Sequence, residues 1–180
     1  MIETKRLLLR EWRDADLAPF QQICSDPRVM ATLGPVLDMA ETAALIERVK
    51  AMEVEHGHTF WALERREDAR LIGWCGVIRG IDGPIKDKAE IGWRLAHDCW
   101  GHGYATEAAR GTVSWAFANL TDDTVWAITS AGNRASQAVM ARLGMRHRPE
   151  LSFNHPRVPL GDPLRPHITC SLERAAWPQV

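Results

Sequence analysis

A glycine turn runs straight into a helix at Trp100-Gly101-His102-Gly103-Tyr104-Ala105-Thr106-Glu107-Ala108, and no other stretch constrains the chain as strongly. Gly101 and Gly103 carry no side chains, so successive backbone N–H groups can converge on one anion, and the positive end of the following helix adds its field. Upstream, Ala89 to Leu95 reads as a strand. Downstream, Ala105, Ala108, Ala109, Thr112 and Ala116 mark one small-residue helical face. A strand, a glycine turn and a helix packed closely through alanines make a nucleotide-type binding unit.

The rest of the chain alternates in a way that places this unit within a mixed sheet. Arg6 to Trp12 reads as a strand, and Asp14-Ala15-Asp16 caps a helix with Leu17, Phe20, Gln21 and Cys24 at helical spacing, ended by Asp26-Pro27. Glu41 to His56 puts Leu45, Val49 and Met52 on one stripe, with Gly57 just past the end. His58 to Arg65 and Arg70 to Arg79 form a hairpin around Arg66-Glu67-Asp68. There follow a strand from Ala89 to Leu95, a helix from Tyr104 to Asn119, a strand from Thr124 to Ser130 and a helix from Arg134 to Leu143. Strands near Met145 to Phe153 and from His167 to Glu173 complete the pattern. Antiparallel strands followed by a β-α-β-α-β segment predict an α/β protein with helices on both faces of a mixed sheet. No linker or repeat divides residues 1–180, so a single domain is expected, and 46% hydrophobic content supplies one core.

Composition excludes several classes of function. The formal net charge is −1 with lysines and arginines scattered, which argues against a nucleic-acid partner. Cys24, Cys75, Cys99 and Cys170 form no C-x-x-C pair, and no leader pattern precedes them, so a reduced cytoplasmic protein is expected. No apolar run approaches the roughly 18 residues of a bilayer span. His147, His155 and His167 match no zinc spacing, so no metal is expected. Trp61, Trp74, Trp93 and Trp126 fall within strands, as core or pocket wall.

Two places carry candidate polar chemistry. Along Ala89 to Leu95, period-two alternation puts Glu90, Gly92 and Arg94 on the face opposite Ala89, Ile91, Trp93 and Leu95. Glu90 is then either a reactive carboxylate or the ion-pair partner of Arg94. Farther on, Ser136, Val139, Met140 and Leu143 share one helical stripe, and Asn133 after Gly132 is either the cap of that helix, a ligand contact, or both.

These motifs together resemble the GNAT N-acetyltransferases, and among them the RimJ/RimL-like branch. The family's pyrophosphate loop, Gln/Arg-x-x-Gly-x-Gly/Ala, is matched at Gly103 and Ala105, with Trp100 in the first position as in that branch. Thr4-Lys5-Arg6-Leu7-Leu8-Leu9-Arg10 resembles its opening strand and Ser25-Asp26-Pro27-Arg28-Val29-Met30 its first-helix exit. Ala89-Glu90-Ile91-Gly92-Trp93 is similar to its central strand, and Asn133-Arg134-Ala135-Ser136 with Leu143-Gly144-Met145 to its last helix.

The resemblance implies a GNAT fold: a mostly antiparallel sheet of about six or seven strands with a splayed central pair. It implies acetyl-CoA as cosubstrate, held by Trp93, Leu95, Trp100, Gly101, His102, Gly103, Tyr104, Ala105, Thr106, Asn133 and Ser136. Leu95 would offer its N–H to the thioester oxygen, and Glu90 would act as general base through water. Many family members place a tyrosine where this chain has Met140, which cannot donate; Ser136 matches the serine of the RimJ/RimL branch, and that resemblance implies that it meets the departing thiolate. Transfer would be direct, in a ternary complex. The acceptor would be a protein N-terminal amine or a small amine such as an amino acid, polyamine or antibiotic; a non-catalytic acyl-CoA-binding domain is the other reading. Phe153 to Pro163 and Gly34 to Met39 would border the acceptor pocket, and the branch points to a homodimer.

Overall fold

Nine strands and five α-helices are described over residues 1–178 of the computed structural model. The strands are β1 (Ile2–Glu3), β2 (Leu7–Arg10), β3 (Phe60–Arg65), β4 (Arg70–Arg79), β5 (Ala89–Leu95), β6 (Thr124–Ser130), β7 (Arg146–His147), β8 (Phe153–Asn154) and β9 (Pro166–Glu173). They form one sheet in the order β1-β2-β3-β4-β5-β6-β9-β7, with β8 also on β9, and every pair is antiparallel except β5 with β6. β1, β7 and β8 are two-residue pieces, so the body of the sheet is the six longer strands.

The helices are α1 (Leu17–Cys24), α2 (Pro27–Met30), α3 (Met39–His56), α4 (Tyr104–Asn119) and α5 (Arg134–Arg142). Two neighbours in β4 show how they divide between the faces. Trp74 lies 5.2 Å from the Phe20 ring of α1, whereas the Cys75 sulfur lies 3.5 Å from the Thr112 hydroxyl of α4. Consecutive strand residues point to opposite faces, so α1 and α4 cover opposite sides of the sheet. Trp12, Phe20, Phe60 and Trp74 form an aromatic cluster on the α1 side, with centroids 4.8 to 6.4 Å apart.

Local chemistry sets the element ends. Asp38 and Glu41 make a reciprocal capping box at the start of α3, and Gly57 ends that helix at φ 74°. Asp26-Pro27, read above as a stop, is also a start: Asp26 accepts the Arg28 N–H and Pro27 opens α2. The expected strand from Met145 to Phe153 is interrupted, because Pro149 opens a 3-10 turn over Pro149–Leu151 and only β7 and β8 pair with β9. Arg6 lies outside β2.

The pairing around β5 is unequal. β4 and β5 share seven paired positions and β6 and β9 share seven, but β5 and β6 register only at Glu90 and Trp126. Beyond that rung no further residues of the two parallel strands register with each other.

Candidate active site

The glycine turn has the geometry of an anion cradle. Gly101 and Gly103 adopt φ 80° and 79°, where a side chain would be strained, and space for a Cβ at Gly101 is empty. Gly103 is the N-cap of α4 but supplies no side chain to cap it. The first helical bond runs from the Glu107 N–H to the Gly103 carbonyl at 3.0 Å, so the N–H groups of Tyr104, Ala105 and Thr106 have no helical partner. The N-terminal segment braces this turn. Arg6 donates to the His102 carbonyl at 3.0 Å and to Glu107 at 2.6 Å, and the Thr4 hydroxyl donates to Glu107 at 2.7 Å.

From the cradle a groove of about 780 Å³ runs to the C-terminal half of β5, at Trp93, Arg94 and Leu95. Trp93, Leu95, Trp100, Gly101, Gly103, Tyr104, Ala105, Thr106, Asn133 and Ser136 all line it. His102 does not: its ring stacks on Tyr104 at 5.7 Å and its Nδ1 lies 2.8 Å from the Trp100 carbonyl, so only its backbone belongs to the turn. At the far end the Ala96 N–H donates to Ile72 of β4, which by strand alternation turns the N–H groups of Trp93 and Leu95 away from β4 and towards the β6 side. The Trp100 indole satisfies the Leu95 carbonyl at 3.0 Å. No β6 residue registers with Leu95.

Asn133 and Ser136 form the opposite wall. Asn133 is buried and its Oδ1 accepts the Ser136 N–H at 3.0 Å, the geometry of a helix cap that also faces the groove. Ser136 is half-buried on the groove wall, whereas Val139 and Met140 are buried in the core. Met140 does not line the groove.

Glu90 lies outside the groove lining. The β4–β5 register puts Glu90, Gly92 and Arg94 on the α1 face together with Ile78, Gly76 and Trp74. Glu90 and Arg94 form no ion pair. The Phe60 ring lies over Gly92, only 2.9 Å from where a Cβ would stand, and so lies between them. Arg94 instead stacks its guanidinium 5.0 Å from the Trp74 ring and donates to the Cys24 sulfur at 3.1 Å. Burial, with a smaller contribution from the Asp82 charge, pushes the Glu90 carboxyl up to about 7. Among the described residues no group of three or more His, Cys, Asp and Glu side chains is placed to hold a metal ion, and no helix is long and apolar enough to cross a membrane.

A family model described as an acetyltransferase (GNAT) domain matches residues 6–146. The chain belongs to the GNAT acetyltransferase family. It is 30% identical over 146 residues to YkkB of Bacillus subtilis (strain 168), covering 80% of this chain and 84% of that one. An acetyltransferase structure from Agrobacterium tumefaciens str. C58 is 28% identical, with a TM-score of 0.77 over 96% of this chain and 93% of that chain. Mycobacterium smegmatis RimJ in complex with CoA-disulfide shares the fold at a TM-score of 0.75 and 20% identity, over 96% of this chain and 84% of that chain. This GNAT protein is therefore an acetyl-CoA-dependent N-acetyltransferase of the RimJ/RimL-like group.

Several groove residues of this acetyltransferase escape a reading of its sequence. Val29, Thr32 and Leu33 reach the groove from α2 and the turn after it, and Arg110 and Arg142 line it from α4 and α5. Arg110 follows Tyr104 by six residues on the helix whose first turn makes the cradle, which is the one signal that could have found it.

Proposed function

We propose that this enzyme transfers an acetyl group from acetyl-CoA to a primary amine by direct attack in a ternary complex. The observation that carries the reading is the single groove that joins the uncapped start of α4 to the unpaired edge of β5. A pyrophosphate fits the first end, where three free N–H groups and two glycines leave room and charge for it, with Arg110 and Arg142 beside it for further phosphate. A thioester oxygen fits the second end, against the Leu95 N–H, which meets the charge that grows there during attack. The new C–N bond forms as the C–S bond breaks. Glu90 takes the amine proton through water, and the Ser136 hydroxyl donates a hydrogen bond to the departing thiolate. Four buried cysteines, none in a disulfide, suit a reducing compartment.

Initial rates with acetyl-CoA and amine both varied test the reaction order. Intersecting lines are the expected result; parallel lines would mean an acetylated enzyme and would end the ternary-complex reading. Ser136→Ala is expected to lower kcat about fivefold, the worth of one hydrogen bond at about 1 kcal/mol, because a thiolate leaves without a strong acid. The loss should be the same for every acceptor. A much larger or acceptor-dependent loss would move Ser136 from the thiolate to the amine.

A further inference from the structure

On the α1 face of β5 the Phe60 ring over Gly92 keeps Arg94 apart from Glu90, and no acidic side chain among the described residues pairs with that arginine. Arg94 lines the groove immediately before Leu95, and its guanidinium is only partly satisfied. One nitrogen, Nη1, donates to the Cys24 sulfur. Nε is buried without a hydrogen-bond partner, and Nη2 makes no hydrogen bond to the described residues. Nε and Nη2 form one edge of the guanidinium, the fork that accepts a carboxylate through two parallel hydrogen bonds. Stacking on Trp74 fixes the plane of that fork.

Two further arginines approach from other elements. Desolvation, and then the charges of Arg157 and Arg94, lower the exposed Arg48 of α3 from the ordinary guanidinium value, so Arg48 lies within electrostatic reach of both. Arg157, in the turn after β8, is paired with Asp82 at 2.9 Å. Neither Arg48 nor Arg94 has an acidic partner among the described residues. A buried guanidinium Nε without an acceptor, next to an Nη2 that makes no bond, is costly in a folded protein and is explained by a ligand that supplies acceptors to that edge.

Building on the N-acetyltransferase reading above, we propose that the acceptor is a small primary amine carrying a carboxylate, held by the free edge of Arg94 with Arg48 in support. The carboxylate then anchors the molecule beside Leu95, leaving its amine to face the gap between β5 and β6. The same arginines repel polyamines and polycationic antibiotics, which brings discrimination by charge as well as by contact. A peptide N-terminus, whose carboxylate is replaced by an amide, loses the anchor.

The test uses the full chain with acetyl-CoA and matched acceptors: an amino acid, its carboxamide, the decarboxylated amine and a dipeptide. At least a tenfold higher kcat/KM for the carboxylate, mostly through KM, is the expected result. Arg94→Gln should abolish that preference and Arg48→Ala reduce it about threefold or more, with the Kd for acetyl-CoA unchanged in Arg48→Ala, whose residue does not line the groove. Arg48 lies at an exposed position, so its variant carries the test should Arg94→Gln not fold. Equal rates on acid and amide, a preference that survives both substitutions, or an acetyl-CoA Kd weakened by Arg48→Ala would each overturn the proposal. A panel in which acetyl-CoA binds but no amine is acetylated would instead defeat the transferase reading. Calorimetry of the amino acid and its amide on the CoA-loaded protein then decides the carboxylate site separately. Heat that needs the carboxylate and is lost in Arg48→Ala supports it, and its absence overturns it.

Discussion

Gly103→Glu is expected to weaken acetyl-CoA binding at least a hundredfold, equivalent to about 2.7 kcal/mol. Gly103 holds φ 79°, a left-handed conformation that costs a residue with a Cβ about 1–2 kcal/mol. The new carboxylate would also stand at the start of α4, where the free N–H groups of Tyr104, Ala105 and Thr106 point, and would occupy the positive end of the helix with the wrong ligand. A Cβ at this position would already lie 3.6 Å from Arg6 Nη2, so the carboxylate beyond it would compete with Glu107 for that arginine and loosen the brace on the turn. Gly101→Ala separates strain from charge. It shares the left-handed φ but meets nothing within 4 Å, so it should cost stability and only part of the affinity. Titration calorimetry on variants shown to be folded by circular dichroism makes the measurement; a folded Gly103→Glu protein that binds normally would remove the cradle from the phosphate site.

Glu90→Gln is expected to act in opposite directions on activity and stability. Loss of a general base lowers kcat/KM by about 10²- to 10⁴-fold. With the Glu90 carboxyl pushed up to about 7, wild-type activity should rise with pH through that region, and the variant should lack this limb. The stability effect follows from the same burial. The folded state holds the Glu90 proton more tightly than the unfolded chain, where the group titrates near 4.5, so wild-type stability falls as pH rises from about 4.5 to 7 and is level above that. A neutral glutamine escapes the penalty, and the variant should gain up to about 3 kcal/mol over wild type at pH 8 and little at pH 4. Urea denaturation at the two pH values reads this directly. A gain independent of pH would mean that packing, not the ionised carboxylate, is responsible.

Much of the architecture was legible because local pattern and tertiary role agree. β4, β5, α4 and β6 occupy the residues that alternation and helical spacing pick out, since each carries an unbroken apolar face. Where proline intervenes the reading fails in instructive ways. Pro27 ends one helix by opening another, and Pro149 breaks a strand that hydropathy alone would continue. The glycine cradle was legible for the same reason as α4: its chemistry is backbone chemistry, written in consecutive residues. The relation of Glu90 to Arg94 was not. Each two residues from Gly92 on one strand face, they look like partners, and only the Phe60 ring, brought over Gly92 from thirty-odd residues upstream, keeps them apart. Nor could the partnership of Arg94 with Cys24 and Trp74 be read, because it is assembled from three elements.

The single Glu90–Trp126 rung makes the sheet a hinged object. Strands β1 to β5 form one leaf and β6, β9, β7 and β8 the other, and the backbone amides of Trp93 and Leu95 face the hinge line with no β6 residue in register. A ligand seated there stands in for a missing strand. Occupancy should then slow hydrogen exchange at these amides and across the two leaves together, and raise the melting temperature by mass action, so that the protein's rigidity is itself a measure of its loading.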